Sequence, residues 1–204
     1  MNTKVSEDLA HIKEMMERSS RFISLSGLSG IGAGIVGLLT GIAALYLTNG
    51  KIQYIERNHI QPYEDYMVKM LILLGVFALI LAIFFGCFFT IRKSRKLGLQ
   101  IWTSTTKKVL IQLAIPLVVG GVFVLALLQY GLYGLIAGTT LIFYGLALIN
   151  AEKHTFSDIK YLGLLEIALG CIALFWIGKG LIFWTIGFGI LHIIYGVILH
   201  RKYK

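Results

Sequence analysis

Charged residues are scarce in this 204-residue chain, at 14%, against about 25% in an ordinary soluble domain. Hydrophobic side chains reach 57%. A soluble body of this size cannot enclose that much apolar side chain, because surface remains a large share of a small particle. A lipid solvent removes the difficulty. Proline occurs twice, which together with the low charge excludes a disordered chain. Cysteine also occurs twice, too few for a disulfide scaffold. Both Cys87 and Cys171 fall inside long apolar runs and read as small packing side chains. Catalytic motifs are missing as well: there is no P-loop, no GxGxxG, no HExxH, no paired-cysteine zinc pattern and no serine-hydrolase signature. His59 with Glu64 and Asp65 matches no standard ligand spacing. The expectation is a protein that is not an enzyme and that holds no cofactor or metal. The charged start followed by an overlong apolar run is not the pattern of a cleavable signal peptide.

What is present is length in apolar runs. A membrane helix needs about 20 apolar residues to cross ~30 Å of hydrocarbon. Six stretches qualify, near residues 22–47, 70–91, 109–128, 132–149, 161–177 and 181–199. They do not alternate with period two, which argues against a β-barrel. The fold class expected is therefore all-α, a polytopic transmembrane six-helix bundle. Its parts are an amphipathic cytoplasmic helix over 1–21, a membrane domain over 22–199 and a basic tail over 200–204. Short breaks at Gln129-Tyr130-Gly131 and Gly178-Lys179-Gly180 make hairpins of the third with the fourth span and the fifth with the sixth.

Orientation follows from the basic residues. One side carries Lys4, Lys13, Arg18, Arg21, then Arg92, Lys93, Arg95, Lys96, Lys107 and Lys108 in the second loop, Lys153 and Lys160 in the fourth, and Arg201, Lys202 and Lys204 in the tail. Lys51, Arg57, Lys69 and Lys179 fall on the other, which exhausts the 19 basic residues. Both termini are thus expected in the cytoplasm. The net charge of +9 reads as attraction to anionic lipid headgroups at the cytoplasmic face, not as a nucleic-acid signal. The outer segment 48–69 alternates aromatic and charged side chains (Tyr54, Glu56, Tyr63, Glu64, Asp65, Tyr66), as an interfacial loop or short helix does.

Val5, Leu9, Ile12 and Met16 form one apolar face over residues 4–21. That helix either lies on the cytoplasmic surface or docks a cytosolic protein partner or a second copy of the chain. In the first span Ser26, Gly30 and Gly34 are spaced by four, as are Gly37 and Gly41. Such stripes let helix backbones approach closely in lipid, so this span is expected at the centre of packing, within the chain or in a homo-oligomer. Pro116 reads as a tolerated first-turn proline of the third span.

Phe85-Gly86, Tyr144-Gly145 and Tyr195-Gly196 place an aromatic–glycine pair near the same end of each even-numbered span, with Gly120 and Gly170 at matching places in the third and fifth. Either three tandem hairpins of parallel topology or the general taste of membrane helices for aromatics and glycine produces that pattern. The last hairpin, from Gly163-Leu-Leu-Glu-Ile-Ala-Leu-Gly170 to Gly187-Phe-Gly-Ile-Leu-His-Ile-Ile-Tyr-Gly196, looks like the glycine-spaced hairpins of the HdeD-like bacterial acid-resistance membrane proteins. That family usually breaks its hairpins at proline, where this chain has Gly178-Lys179-Gly180. The string Tyr144-Gly-Leu-Ala-Leu-Ile-Asn150 also looks like uncharacterised bacterial six-span proteins. The resemblance implies a small six-span protein of a bacterial cytoplasmic (inner) membrane.

Ionisable side chains at membrane depth are costly and become functional candidates by default. Glu166 and His192 lie equally far in sequence on either side of Lys179, the centre of the last turn. A tight hairpin puts them at one depth, roughly 20 Å from the outer turn and about 10 Å below the cytoplasmic boundary. Tyr195 follows on the face of His192, and Tyr144, Gln112 and Asn150 fall at similar or shallower depth as a supporting polar layer. The pair reads as a structural clamp between helices or as a proton-responsive site that biases two packings of the bundle. The functional expectation is a small proton-responsive carrier or channel-like protein. The alternative is a non-transporting regulator that docks a cytosolic protein through the N-terminal helix and the basic second loop.

Overall fold

The structure, a computed structural model, describes residues 26–48 and 65–202. The expected helix over 1–21 lies outside these residues. So do residues 22–25 of the first span, most of the outer segment, including Tyr54, Glu56, His59, Tyr63 and Glu64, and the last two residues of the tail.

The described residues form helices and no strand. In chain order they are α1 (Gly27–Leu47), α2 (Asp65–Lys96), α3 (Ser104–Gln129), α4 (Ile136–Ala151) and α5 (Ile159–Phe175), with single 3₁₀ turns at Tyr133–Leu135 and Glu152–His154 on either side of α4. The last helix is a composite. Its outer part is α6 (Gly180–Thr185), its middle a π-helical turn (Ile186–Leu191) and its inner part α7 (His192–Lys202).

Boundaries differ from expectation where polar residues prove to be helical. The second helix starts before residue 70 and ends beyond 91, so Asp65, Tyr66 and Lys69 belong to it, and so do Arg92, Lys93, Arg95 and Lys96. Basic side chains in a last helical turn complement the negative end of the macrodipole, and their long stems lie along apolar surface while the charge reaches outward. α3 likewise begins at Ser104, with Thr103 and Thr106 closing a capping box. That earlier start puts Pro116 in the helix interior and not in its first turn. Both α2 and α3 end on a glycine in the left-handed region, Gly98 (φ 65°) and Gly131 (φ 71°). Leu99 N–H bonds the Ser94 carbonyl and Leu132 N–H the Leu127 carbonyl at 2.9 and 2.8 Å, which satisfies carbonyls that a helix end otherwise orphans.

Five helices are long and apolar enough to cross a membrane, spanning Gly27–Leu47, Tyr66–Lys96, Ser104–Gln129, Tyr133–His154 and Gly180–Lys202. Six were expected. The missing one is α5, which has 17 residues and so reaches only about 25 Å at 1.5 Å per residue. It starts at Ile159, two residues before the expected span, after a loop in which Thr155 and Phe156 are buried. It stops early because Trp176 leaves helical geometry and Gly178 turns the chain at φ 97°.

Packing order differs from chain order. α1 lies between α2 and the last helix, the last helix also meets α4 and α5, and α3 packs on α4. The glycine stripe of α1 is consumed inside the chain. A Cβ on Gly30 would meet the Gly196 backbone at 3.1 Å, and one on Gly34 the Ile193 nitrogen at 2.7 Å. Gly37 faces Phe188 and Gly41 faces Thr185. Ser26, the residue before α1, is buried. A second close crossing was not anticipated: Gly138 meets Gly170 and Gly145 meets Gly163 in one antiparallel register between α4 and α5. α5 therefore packs more extensively on α4 than on its hairpin partner. The three aromatic–glycine pairs are not equivalent either. Gly145 and Gly196 sit at helix crossings, whereas nothing lies within 4 Å of a Cβ on Gly86.

Pro116 has no N–H, so the carbonyl of Gln112, four residues earlier, has no helical donor. The Asn150 side-chain amide from α4 donates to that carbonyl at 2.9 Å. Asn150→Ala is expected to cost about 0.5–1.5 kcal/mol in detergent unfolding. In a Pro116→Ala background the cost should largely vanish, because an alanine N–H at 116 restores the helical bond. An equal loss in both backgrounds would separate the two residues.

Candidate functional site

Glu166 lies on the face of α5 that also carries Gly163 and Gly170, three residues before it and four after. Those glycines bring α5 onto the α4 backbone, and the carboxyl is sealed as a consequence. Its relative exposure is 0%, beside 5% for His192. The structure brings the two together. Glu166 Oε1 is 3.2 Å from His192 Nδ1.

The Nδ1 atom has a second neighbour. The Gly187 carbonyl oxygen is 2.9 Å away. A carbonyl only accepts, so Nδ1 carries the proton and donates it there. The other ring nitrogen, Nε2, is 2.8 Å from the Tyr144 hydroxyl. With Nδ1 protonated and the ring neutral, Nε2 accepts from the Tyr144 O–H. Neither carboxylate oxygen of Glu166 receives a hydrogen bond among the described residues. Glu166 thus touches the imidazole at ion-pair distance but off the line of its N–H. The result is a chain of Glu166, His192 and Tyr144 drawn from α5, α7 and α4.

Gly187 is what makes room for it, since a Cβ there would fall 2.5 Å from Glu166 Oε2 and from Leu141. An apolar cover completes the enclosure. The Phe188 ring lies 5.0 Å from Tyr144, 5.8 Å from His192 and 4.9 Å from Trp184, centroid to centroid. Gly187, Phe188, Trp184 and the π turn were missed by sequence reasoning. The available signal was the Gly187-Phe188-Gly189 run just before His192, two poor helix formers where an unbroken span was expected.

The remaining members of the expected polar layer sit elsewhere. Gln112 and Asn150 join each other through the carbonyl freed by Pro116. Tyr195 packs one turn beyond His192 against Leu148, Ile159 and Leu162. The end of α7 is tied to the start of α5 by Lys202, whose Nζ donates to both Asp158 carboxylate oxygens at 3.0 and 2.8 Å. Among the described residues no three His, Cys, Asp or Glu side chains come together in a group able to hold a metal.

No protein-family model, no curated protein and no solved structure matches the chain.

Proposed function

We propose that this chain is a small proton-responsive carrier or channel-like protein of a bacterial cytoplasmic membrane, with Glu166 and His192 as its proton site in a closed form. The membrane reading is supported by the apolar outward faces of α2 and α3, where Leu73, Phe77, Ile80, Phe84, Val118, Val122 and Leu125 are exposed. Patches of that extent suit acyl chains and not water. α5 is then a short sixth span, accommodated by local thinning of the bilayer. Contacts of Gly27 with His200, Asp158 with Lys202 and Lys93 with the Phe156 ring gather the basic helix ends together. By the positive-inside rule that end is cytoplasmic, as are both termini. Arg92 and Arg95, with Phe88 and Ile91 below them, line a cleft of about 270 Å³ suited to an anionic lipid headgroup.

One observation carries the proton reading. A carboxyl sealed at 0% exposure, with no hydrogen bond among the described residues, touches an imidazole whose two nitrogens are both engaged. Gain or loss of one proton leaves an uncompensated charge in a dry core, which is enough to shift a packing equilibrium. In proteoliposomes loaded with a pH-sensitive dye, the wild-type protein should dissipate an imposed pH gradient, and Glu166→Gln should slow it at least tenfold. Equal traces for wild type, variant and protein-free vesicles would remove this function.

A further inference from the structure

We infer that the inner end of α2 is a seat for one lipid phosphate monoester, with Arg92 and Arg95 on the phosphate and Phe84, Phe88 and Ile91 along an acyl chain. The inference rests on the membrane reading above and deepens it by naming the lipid; it uses nothing of the proton site. Arg92 and Arg95 stand three residues apart on one helix, so their side chains leave adjoining positions of its surface. Phe88 precedes Arg92 by four residues and Ile91 precedes Arg95 by four, which puts all four on the same surface. Together they line a cleft of about 270 Å³. Pockets for drug-sized ligands run from about 300 to 1,000 Å³, so this one is the size of a headgroup.

The two guanidiniums are available. Other cations at this end of the bundle are engaged: Lys202 holds Asp158, Lys93 lies over the Phe156 ring and Lys160 over the Tyr161 ring. Arg92 and Arg95 make no ion pair with another described residue. A guanidinium is a planar fork that matches phosphate oxygens two at a time, which an ammonium does not. A phosphodiester headgroup offers two free oxygens and one negative charge. A monoester offers three oxygens and up to two charges, so both forks can engage it at once.

Below the arginines the surface is flat and apolar. Phe84 and Phe88 are exposed, and their rings stack at 6.0 Å with an interplanar angle of 17°. Arg95 lies eleven residues beyond Phe84, about 16 Å along the axis, and one leaflet of hydrocarbon is about 15 Å deep. The rings therefore run the depth of the leaflet whose headgroups reach the arginines. α1 does not compete for this face. It packs on the adjoining one, where Gly32 meets Phe85 and Phe89. Lys107 and Lys108, in the first turn of α3, lie outside the cleft and supply a control of equal charge.

The test is native mass spectrometry of the delipidated full-length protein in detergent, with dioleoyl phosphatidic acid, dioleoyl phosphatidylglycerol or inorganic phosphate added. The chain should retain one phosphatidic acid about fivefold more readily than phosphatidylglycerol. Arg92→Gln with Arg95→Gln should abolish that preference, and Lys107→Gln with Lys108→Gln should keep it. Equal losses in the two pairs would reduce the seat to diffuse charge and overturn it. Arg92→Lys with Arg95→Lys preserves the charge at the helix end but not the forks, so it too should lose the preference, and it decides if the glutamine pair does not fold. A preference that survives there overturns the seat. Inorganic phosphate in millimolar excess should not displace the lipid, because it has no chain to lay on Phe84 and Phe88; displacement would make this a site for free phosphate. Dye flux is read separately on the same protein. Flux without the lipid preference removes the seat and leaves the carrier reading, and the preference without flux does the reverse. Protein that stays dispersed without detergent removes the membrane reading and both with it.

Discussion

His192→Leu should produce a markedly less stable protein. The substitution keeps an apolar volume at the crossing of α4, α5 and α7 but deletes both ring nitrogens. Tyr144 then loses the acceptor of its hydroxyl, and the Gly187 carbonyl loses the donor that stabilises the π geometry. A buried polar group left without its partner costs about 1–3 kcal/mol. Tyr144 has no local substitute, so that cost appears in full as a lower midpoint in detergent unfolding. The Gly187 carbonyl lies at a buried residue as well, and losing its donor adds to the cost. Tyr144→Phe separates the two contributions, because it removes the hydroxyl and leaves the imidazole on Gly187. That variant should lose less stability than His192→Leu. Equal midpoints for His192→Leu and wild type would show that the imidazole does not hold the crossing together.

The second large effect concerns the glycine crossings. Alanine at Gly145 would put its Cβ 2.5 Å from the Gly163 carbonyl oxygen, and alanine at Gly170 would put its Cβ 2.7 Å from that of Gly138. These neighbours are backbone on a facing helix and cannot rotate aside, so α4 and α5 must separate along their length. Overpacking of this kind costs about 1–3 kcal/mol per site. It also loosens the seal around Glu166, which lies between Gly163 and Gly170. Alanine at Gly86 or Gly121 meets nothing within 4 Å and should be neutral or stabilising by up to about 1 kcal/mol, from helix propensity alone. Thermal unfolding in detergent should divide the four variants cleanly by position. Equal effects at Gly145 and Gly86 would contradict the packing order of the bundle.

Legibility of the site in the sequence was uneven, for physical reasons that can be named. Equal sequence distance from Lys179 placed Glu166 and His192 at one level, because rise per residue in a helix is constant. It left their rotation open, because the azimuth of a side chain depends on how the whole helix turns against its neighbours. The π turn compounds this. One extra residue between Thr185 and His192 resets the facing of everything beyond it, and a count based on 3.6 residues per turn misses that reset. Pro116 and Asn150 were each visible, but their partnership was not. It requires the carbonyl of a third residue, Gln112, to be exposed at the point where α4 passes. Gly138, Gly145, Gly163 and Gly170 were all present as letters. Their heptad spacing in two separate spans becomes a contact only when the antiparallel register is set.

Composition and run length determined by themselves that the chain is helical and apolar enough to cross a membrane several times, and the basic residues marked which ends belong together. Those properties follow from solvent transfer and from charge at helix termini, which each segment carries independently of the others. Tertiary structure alone decided that α5 crosses α4 at paired glycines, that the first helix sets its glycines against the last helix of the same chain, and that one imidazole hydrogen stands between a carbonyl and a carboxyl. These are outcomes of competition among segments for the same close approaches. Such a competition is settled by backbone-to-backbone fit at ångström scale, which a linear order of side chains does not express.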